Sequence, residues 1–195
     1  MILSYCDKSG NMVLPWAEAG YKCICVDLQK SESQHENIKH VQADVKNYLP
    51  PLETYEFFFA FPPCTHTAVS GARWFKSKGP GAAVEAFEIL AACIKIADWI
   101  KCPWMIENPV STFSTYWRKP DYTFQPWQFG DNYTKKTCIW HGNGAIMPEP
   151  DIKEMPADCR DYIHKLPPSD NRAELRSITP MGFARAVFNV NRGTK

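Results

Sequence analysis

The stretch EFFFAFPPC, residues 56–64, constrains the fold more than any other part of the chain. Its aromatic and apolar run reads as a buried strand. Pro62 and Pro63 cannot donate to a sheet ladder, so the strand ends there and Cys64 is held rigidly at its carboxyl end. In open α/β sheets that is the end at which ligands bind.

The flanking sequence supplies the rest of such a sheet. ILSYC reads as a first strand closed by the turn DKSG, MVLPWAEAG as a short helix stopped by Gly20, and YKCICVD as a second strand ending in Asp27. This β-turn-α-β succession opens a Rossmann-like unit. After the polar loop QKSESQHEN comes a short strand near Ile38 to Val41, with Asp44 just beyond it, and EFFFAF is the fourth strand. Past a loop, KSKGPG, the segment AAVEAFEILAACIKIADWI carries apolar residues at helical spacing with Pro80 near its start. Cys102 and Pro103 end that helix, and WMIENP reads as another buried strand whose last residues are Glu107, Asn108 and Pro109.

Strands alternating with helices imply a mainly parallel sheet, and right-handed crossovers place the strand ends on one edge. Gly10, Asp27, Asp44, Cys64 and Glu107 are therefore expected to line a single crevice. The second half is less regular. YWRKPDYTFQPWQFGDNY gives no clear element, one strand is expected at Lys136 to Trp140, a polar Pro-rich stretch covers 148–170, and a final helix lies within PMGFARAVFNVN. A chain of 195 residues suits one α/β domain, and no internal boundary shows.

Net charge is +1, which excludes the global basic field that drives nonspecific DNA binding. Nucleic-acid contact would have to be local, at Arg73, Lys76 and Lys78, at Arg118 and Lys119, or at Lys135 and Lys136, each of which also reads as ordinary solvated surface. No apolar run approaches the roughly 20 residues that span a bilayer. The start MILSYCDKSG has no basic leader region, so a cytoplasmic protein without membrane contact is expected, with its eight cysteines reduced. Cys23 and Cys25 read as two side chains on one strand face, with no second pair to complete a metal site. Most tryptophans read as core, whereas Trp74, beside Arg73, suits stacking on a base or sugar.

A thiol and a carboxylate in one crevice, with two acidic strand ends beside them, fit a particular reaction. Carbon 5 of cytosine accepts a methyl group only after a nucleophile adds to carbon 6, and a thiolate is soft and reactive near neutral pH. A carboxylic acid against the base edge can donate to nitrogen 3 and accept from the exocyclic amine, which separates cytosine from thymine. His66 is too close in sequence to Cys64 to make a good hydrolase dyad. A thiol after the two prolines, where an amino-methylating enzyme needs a stacking aromatic, argues for carbon methylation.

On these residues the chain resembles the cytosine C5 DNA methyltransferase family, in the layout of its short phage-type members. PPC at 62–64 is similar to the family's catalytic loop and ENP at 107–109 to its Glu-Asn-Val motif. YTKKTCIWHG resembles its Gln-x-Arg-x-Arg strand, with Lys135 and Thr137 at the two Arg positions, and NRAELRSITPMGFARAVFNV resembles its closing motifs. The resemblance implies a Rossmann-like AdoMet-dependent methyltransferase fold, α/β with a mainly parallel central sheet. It implies Cys64 as nucleophile, Glu107 as the acid, and Lys135 as a catalytic cation. S-adenosyl-L-methionine would be the cofactor, held by Ser4, Cys6, Gly10, Asp27, Asp44 and Pro62. Asp27 would meet its ribose and Asp44 its adenine. Pro63, Arg73, Asn108 and Lys136 would meet the substrate, DNA or a free cytosine nucleotide.

The chain departs from that pattern in three places. Cys6, Lys8 and Gly10 occupy a loop that is usually Phe-x-Gly-x-Gly, which leaves one glycine for close cofactor approach and a lysine that could close the pocket. Thr137 stands where the family has an arginine. Residues 141–175 form a reduced insert in place of a target-recognition region, which implies low sequence preference or a recognition partner. The altered loop also leaves a different class open, a degenerate AdoMet-fold nucleic-acid-binding protein.

Overall fold

Among the described residues of the computed structural model, 1–167, 169 and 172–193, seven strands form one sheet. They are β1 (Ile2–Tyr5), β2 (Cys23–Asp27), β3 (Ile38–Gln42), β4 (Phe57–Ala60), β5 (Trp104–Pro109), β6 (Tyr122–Phe124) and β7 (Thr137–Gly142). Their order is β3-β2-β1-β4-β5-β7-β6. The first five are mutually parallel, and β7 runs against both β5 and β6. The order follows the dinucleotide-binding pattern 3-2-1-4-5-6 with one antiparallel strand inserted before the last position. Between β1 and β4 the succession of strands changes direction, so a crevice opens at their carboxyl ends.

The apolar runs are continuous because both faces of the sheet are covered. Phe57 and Phe59 stack 4.4 Å apart on one face. They pack there with Trp16 of the helix α1 (Leu14–Glu18) and with Phe183 and Val187 of the last helix. Phe58 and Ala60 point the other way, toward Leu90, Cys93 and Ala97 of the long helix α2 (Phe75–Ile100). Cys23 and Cys25 share the first face, as the alternation requires. Burying a phenylalanine is worth about 1.5–3 kcal/mol, so these three side chains on β4 alone fix its register between two helical layers.

Two features differ from the sequence reading. Residues 76–81, expected as a loop, belong to α2, which is kinked where Gly79 takes φ +74. Gly79 can adopt that backbone, and Pro80 after it has no N–H to miss, so a second helical segment starts against the end of the first. The helix ends at Lys101, left-handed at φ 55, before Cys102. The short elements α3 (Phe113–Tyr116), β6 and α4 (Arg172–Ser177) carried no periodic signal. The first residue of the segment likened to the family's closing motifs, Asn171, lies outside the described residues. The closing helix α5 (Met181–Asn191) forms where expected and packs beside α1, with Arg185 3.2 Å from Glu18. Its approach to the sheet edge requires Gly182, whose amide donates to Asp131 at 2.9 Å and where a Cβ would lie 1.8 Å from the Phe129 carbonyl oxygen. Among the described residues no helix is long and apolar enough to cross a membrane.

Candidate active site

β4 and β5 are neighbours, with Ala60 opposite Ile106, so the residues that follow them emerge side by side. Pro62 is buried, Pro63 exposed and Cys64 partly buried. The Cys64 carbonyl accepts from Thr67 and Ala68 amides at 3.1 and 2.9 Å, which makes the thiol the first residue of a tight turn. Asn108, 1% exposed, donates from Nδ2 to the Pro62 carbonyl at 2.7 Å. It is turned into the protein. Its Nδ2 fastens the β5 end to the Pro-Pro loop, while Oδ1 is buried without a hydrogen-bond partner. Backbone bonds from Val69 to Val110 and from Thr112 to Thr67 extend the same seam.

Glu107 sits on β5 beside that seam. Its Oε1 is screened from solvent and has no hydrogen-bond partner. A narrow cavity of about 10 Å³ adjoins it, lined also by Phe61, Lys135, Thr137, Thr179 and Pro180. That is room for about one water. Burial pushes the Glu107 carboxyl up, and the charge of Lys135 opposes the rise. Burial also pushes the Cys64 thiol up, a negative Glu107 pushes it further, and Lys135 and Arg176 pull it down. Burial thus makes both acids resist ionisation, with Lys135 opposing it at both groups and Arg176 at the thiol. An acid kept protonated this way can donate a hydrogen bond to a substrate.

Thr137, likened to the family's second arginine, is buried and donates to the Lys135 carbonyl at 2.9 Å. The second cation acting on Cys64 is Arg176, from α4. The sequence reading missed that role, since only the fold brings the charge of α4 to bear on Cys64. Lys136, next to Lys135, is exposed.

The carboxyl end of β1 is organised by another residue that the reading missed, Asp7, 3% exposed. Its carboxylate accepts from Ser4 Oγ at 2.7 Å, Ser9 Oγ at 3.1 Å and the Gly10 amide at 2.8 Å. Ser4, expected at the cofactor, is fully buried beneath the loop, where its hydroxyl supports Asp7. Cys6 at φ 55 and Gly10 at φ 67 give the loop its shape, and a Cβ on Gly10 would stand 3.4 Å from His40 Nε2. Burial raises the Asp7 carboxyl despite its three donors. The signal was present as Ser4-x-x-Asp7 at a strand end, which suits a side chain folding back to bind the loop.

Asp27 ends β2, partly buried, with Oδ1 accepting the Gln29 amide at 2.8 Å. Burial raises its carboxyl as well, while the Gln29 amide and the charge of Lys8 work against the rise. Asp44, beyond β3, accepts the Lys46 amide at 2.9 Å and stands 4.0 Å from Lys46 Nζ, the geometry of an ordinary turn. Arg118 is paired with Asp121 at 2.6 Å and lies over Trp117, so that candidate patch is structural. Arg73 is exposed, 4.9 to 5.1 Å being the range for both guanidinium–indole stacks, with its own over Trp74. A cavity of about 460 Å³ lies at the amino edge of the sheet between Tyr21, Glu53, Tyr55 and Lys101, away from all these groups.

No protein-family model and no curated protein matches the chain. Among solved structures it is similar to a protein described as a DNA modification methyltransferase encoded within a prophage of E. coli. The TM-score is 0.50 with 12% identity, over 72% of this chain and 45% of that one. The chain thus spans less than half the length of that protein. The likeness agrees with the strand order, and the chain has the Rossmann-like α/β fold with a mainly parallel central sheet that a methyltransferase also uses.

Proposed function

We propose that the chain methylates carbon 5 of cytosine in DNA, with S-adenosyl-L-methionine as donor, Cys64 as nucleophile and Glu107 as the acid that holds the base. The observation that carries this reading is the placement of Glu107 near the end of β5 and of Cys64 in the turn just beyond its parallel neighbour β4, the two segments fastened together by the Asn108–Pro62 hydrogen bond.

Cys64 Sγ adds as the thiolate to carbon 6, and the carbon 5–carbon 6 π electrons move to carbon 5. The Glu107 carboxyl donates to nitrogen 3 as charge builds there and accepts from the exocyclic amine. After carbon 5 has gained its methyl group, its hydrogen leaves as a proton to water, the double bond reforms and the thiolate is expelled. Lys135 and Arg176 favour the anionic states of this cycle, an electrostatic contribution that a water-poor crevice strengthens.

The residues present fit the donor at its ribose end. Asp27 stands at the end of β2 beside the switch point, and Oδ1 takes the Gln29 amide, leaving Oδ2 for a diol. The Gly10 amide, in contrast, is committed to Asp7, so the loop shapes the pocket without offering that donor. When bound, the cofactor supplies an electrophilic methyl group on a sulfonium. Pro62 and Cys6 border the same edge. The short span 141–175 accords with little sequence preference or with a separate recognition partner.

Nucleoside mass spectrometry of DNA from cells expressing the wild type and Cys64→Ser tests the reading. 5-Methylcytosine is expected only with the wild type, together with a covalent adduct on DNA containing 5-fluorocytosine. Absence of both product and adduct with the donor supplied would overturn it, and product on dCMP with none on DNA would move the acceptor to a free nucleotide.

A further inference from the structure

Between Cys64 and the body of α2 lies an exposed arm, residues 69–80, beginning with the 3-10 turn Val69–Trp74. It has an unusual surface. Trp74 is 53% exposed, and the Arg73 guanidinium lies 5.1 Å from its ring centroid. Lys76 and Lys78 follow, and no acidic residue occurs from Val69 to Val84. Lys78 Nζ donates to the Thr65 carbonyl at 2.5 Å, which ties the arm to the turn that carries Cys64.

From this surface we infer that the arm binds single-stranded DNA, stacking an unpaired base on Trp74 while Arg73 and Lys76 meet the flanking phosphates. The inference rests on the reading of Cys64 as the reacting group only for its purpose; the binding itself does not depend on it. An exposed indole is a platform for a base whose face is open, and in a duplex every base face is covered by its neighbours. Extracting a base from a duplex costs a few kcal/mol and requires a grip on the remaining helix. Net charge is only +1, and among the described residues the span from 143 to 171 holds the 3-10 turn Ile163–Lys165 as its one helical element and no strand, so no such grip shows among them.

The test measures binding of fluorescein-labelled dT20 and of a 20-bp duplex by anisotropy, without cofactor, in the wild type and in Cys64→Ser. Tighter binding to the single strand is expected. Trp74→Ala should weaken it about tenfold or more, and Trp74→Phe should restore most of the loss, since stacking carries the contact. Trp99→Ala is the control: Trp99 is 48% exposed on the same helix but roughly 28 Å along its axis from Pro80. It should leave binding unchanged. Arg73→Ala with Lys76→Ala should make the slope of log K against log salt shallower by about 1.4, from about 0.7 per lost phosphate contact on a single strand. Equal or tighter binding to duplex, or an unchanged affinity in Trp74→Ala with the thermal melt intact, overturns the inference. Single-strand binding without a 5-fluorocytosine adduct would sink the methyl-transfer reading and leave the arm standing. An adduct on duplex with no single-strand binding would do the reverse.

Discussion

Replacing Asp7 separates what its charge does from what its shape does. In Asp7→Ala three hydrogen bonds vanish, from Ser4 Oγ, Ser9 Oγ and the Gly10 amide, and the Ser4 hydroxyl is left in a fully buried site. At about 1 kcal/mol per bond, and more for donors left unpaired, the loss comes to about 3–5 kcal/mol. That is a large share of the roughly 5–15 kcal/mol that holds a domain together. At about 2–4 °C per kcal/mol for a chain of this size, Tm should fall by roughly 6–20 °C.

Asp7→Asn keeps an oxygen for Ser9 and Gly10 and can donate to Ser4, whose hydroxyl rotates. Its effect on stability should depend on pH. Burial raises the folded-state Asp7 above its ordinary value of 3.8. The folded state therefore holds that proton more tightly than the unfolded chain. The stability from this is complete below the ordinary value and is lost as pH rises through it toward the raised one. Wild type should thus lose stability relative to Asp7→Asn across that window and remain relatively weaker at neutral pH. Circular-dichroism melts of all three proteins from acid to neutral pH decide the matter. A Tm for Asp7→Ala within about 3 °C of wild type, or a gap between wild type and Asp7→Asn that does not move with pH, would refute the reasoning.

Three other outcomes are expected. Alkylation of Cys64 by iodoacetamide should accelerate as pH rises past neutrality; at fixed pH Glu107→Gln should speed it and Lys135→Ala slow it, because the first removes a charge that raises the thiol and the second one that lowers it. Peptide mass spectrometry reads the rates, and a slower Glu107→Gln would contradict the proximity of the two groups. Asn108→Ala should cost about 1–3 kcal/mol in urea melts and lower kcat more than it raises KM, since it frees the Pro62 carbonyl and loosens the thiol's platform. Gly182→Ala should destabilise by about 2 kcal/mol or more, because its methyl would meet the Phe129 carbonyl oxygen at 1.8 Å, and a melt superimposed on wild type would show that α5 enters differently.

The parallel half of the fold was legible because each strand is a local apolar run with its own stop signal. FFFA before Pro62 and WMIENP needed no distant partner to be recognised, and the acids that follow them inherit one edge from the crossover rule. The unread parts depend on contacts made elsewhere. β6 is three residues long and exists through its pairing with β7, so no period marks it. Residues 76–81 look like a loop because Gly and Pro are breakers, yet Gly79 serves as the joint between two helical segments. The bond from Asn108 to the Pro62 carbonyl was equally unreadable, because alternation along β5 turns Asn108 to the face opposite Glu107 and the partner lies 46 residues away. Arg176 illustrates the limit most clearly: nothing near it in sequence refers to Cys64, and its influence arises only from the path of the chain after β7.

The electrostatics of the crevice suggest how base entry and thiol activation are joined. A negative Glu107 raises the cost of ionising Cys64, so the states with one negative charge or none precede the doubly ionised one. The proposed reaction needs a particular member of that set, with sulfur ionised and the carboxyl protonated. An empty crevice does not choose it strongly, because Lys135 acts on both groups while Arg176 acts on the thiol. A cytosine lodged against Glu107 does choose it: nitrogen 3 has only a lone pair to offer, so the carboxyl must keep its proton to bond there. With that proton fixed, the repulsion on Cys64 disappears and the two cations pull the thiol down unopposed by any charge. On the proposed reaction, the thiol would become reactive only after the base arrives, which would spare it from oxidation and alkylation beforehand. A cytosine-bearing oligonucleotide should accordingly raise the thiolate absorbance near 240 nm in wild type by more than a thymine one does, with the difference abolished in Glu107→Gln. Equal responses to the two bases would show that the acid and the thiol titrate independently.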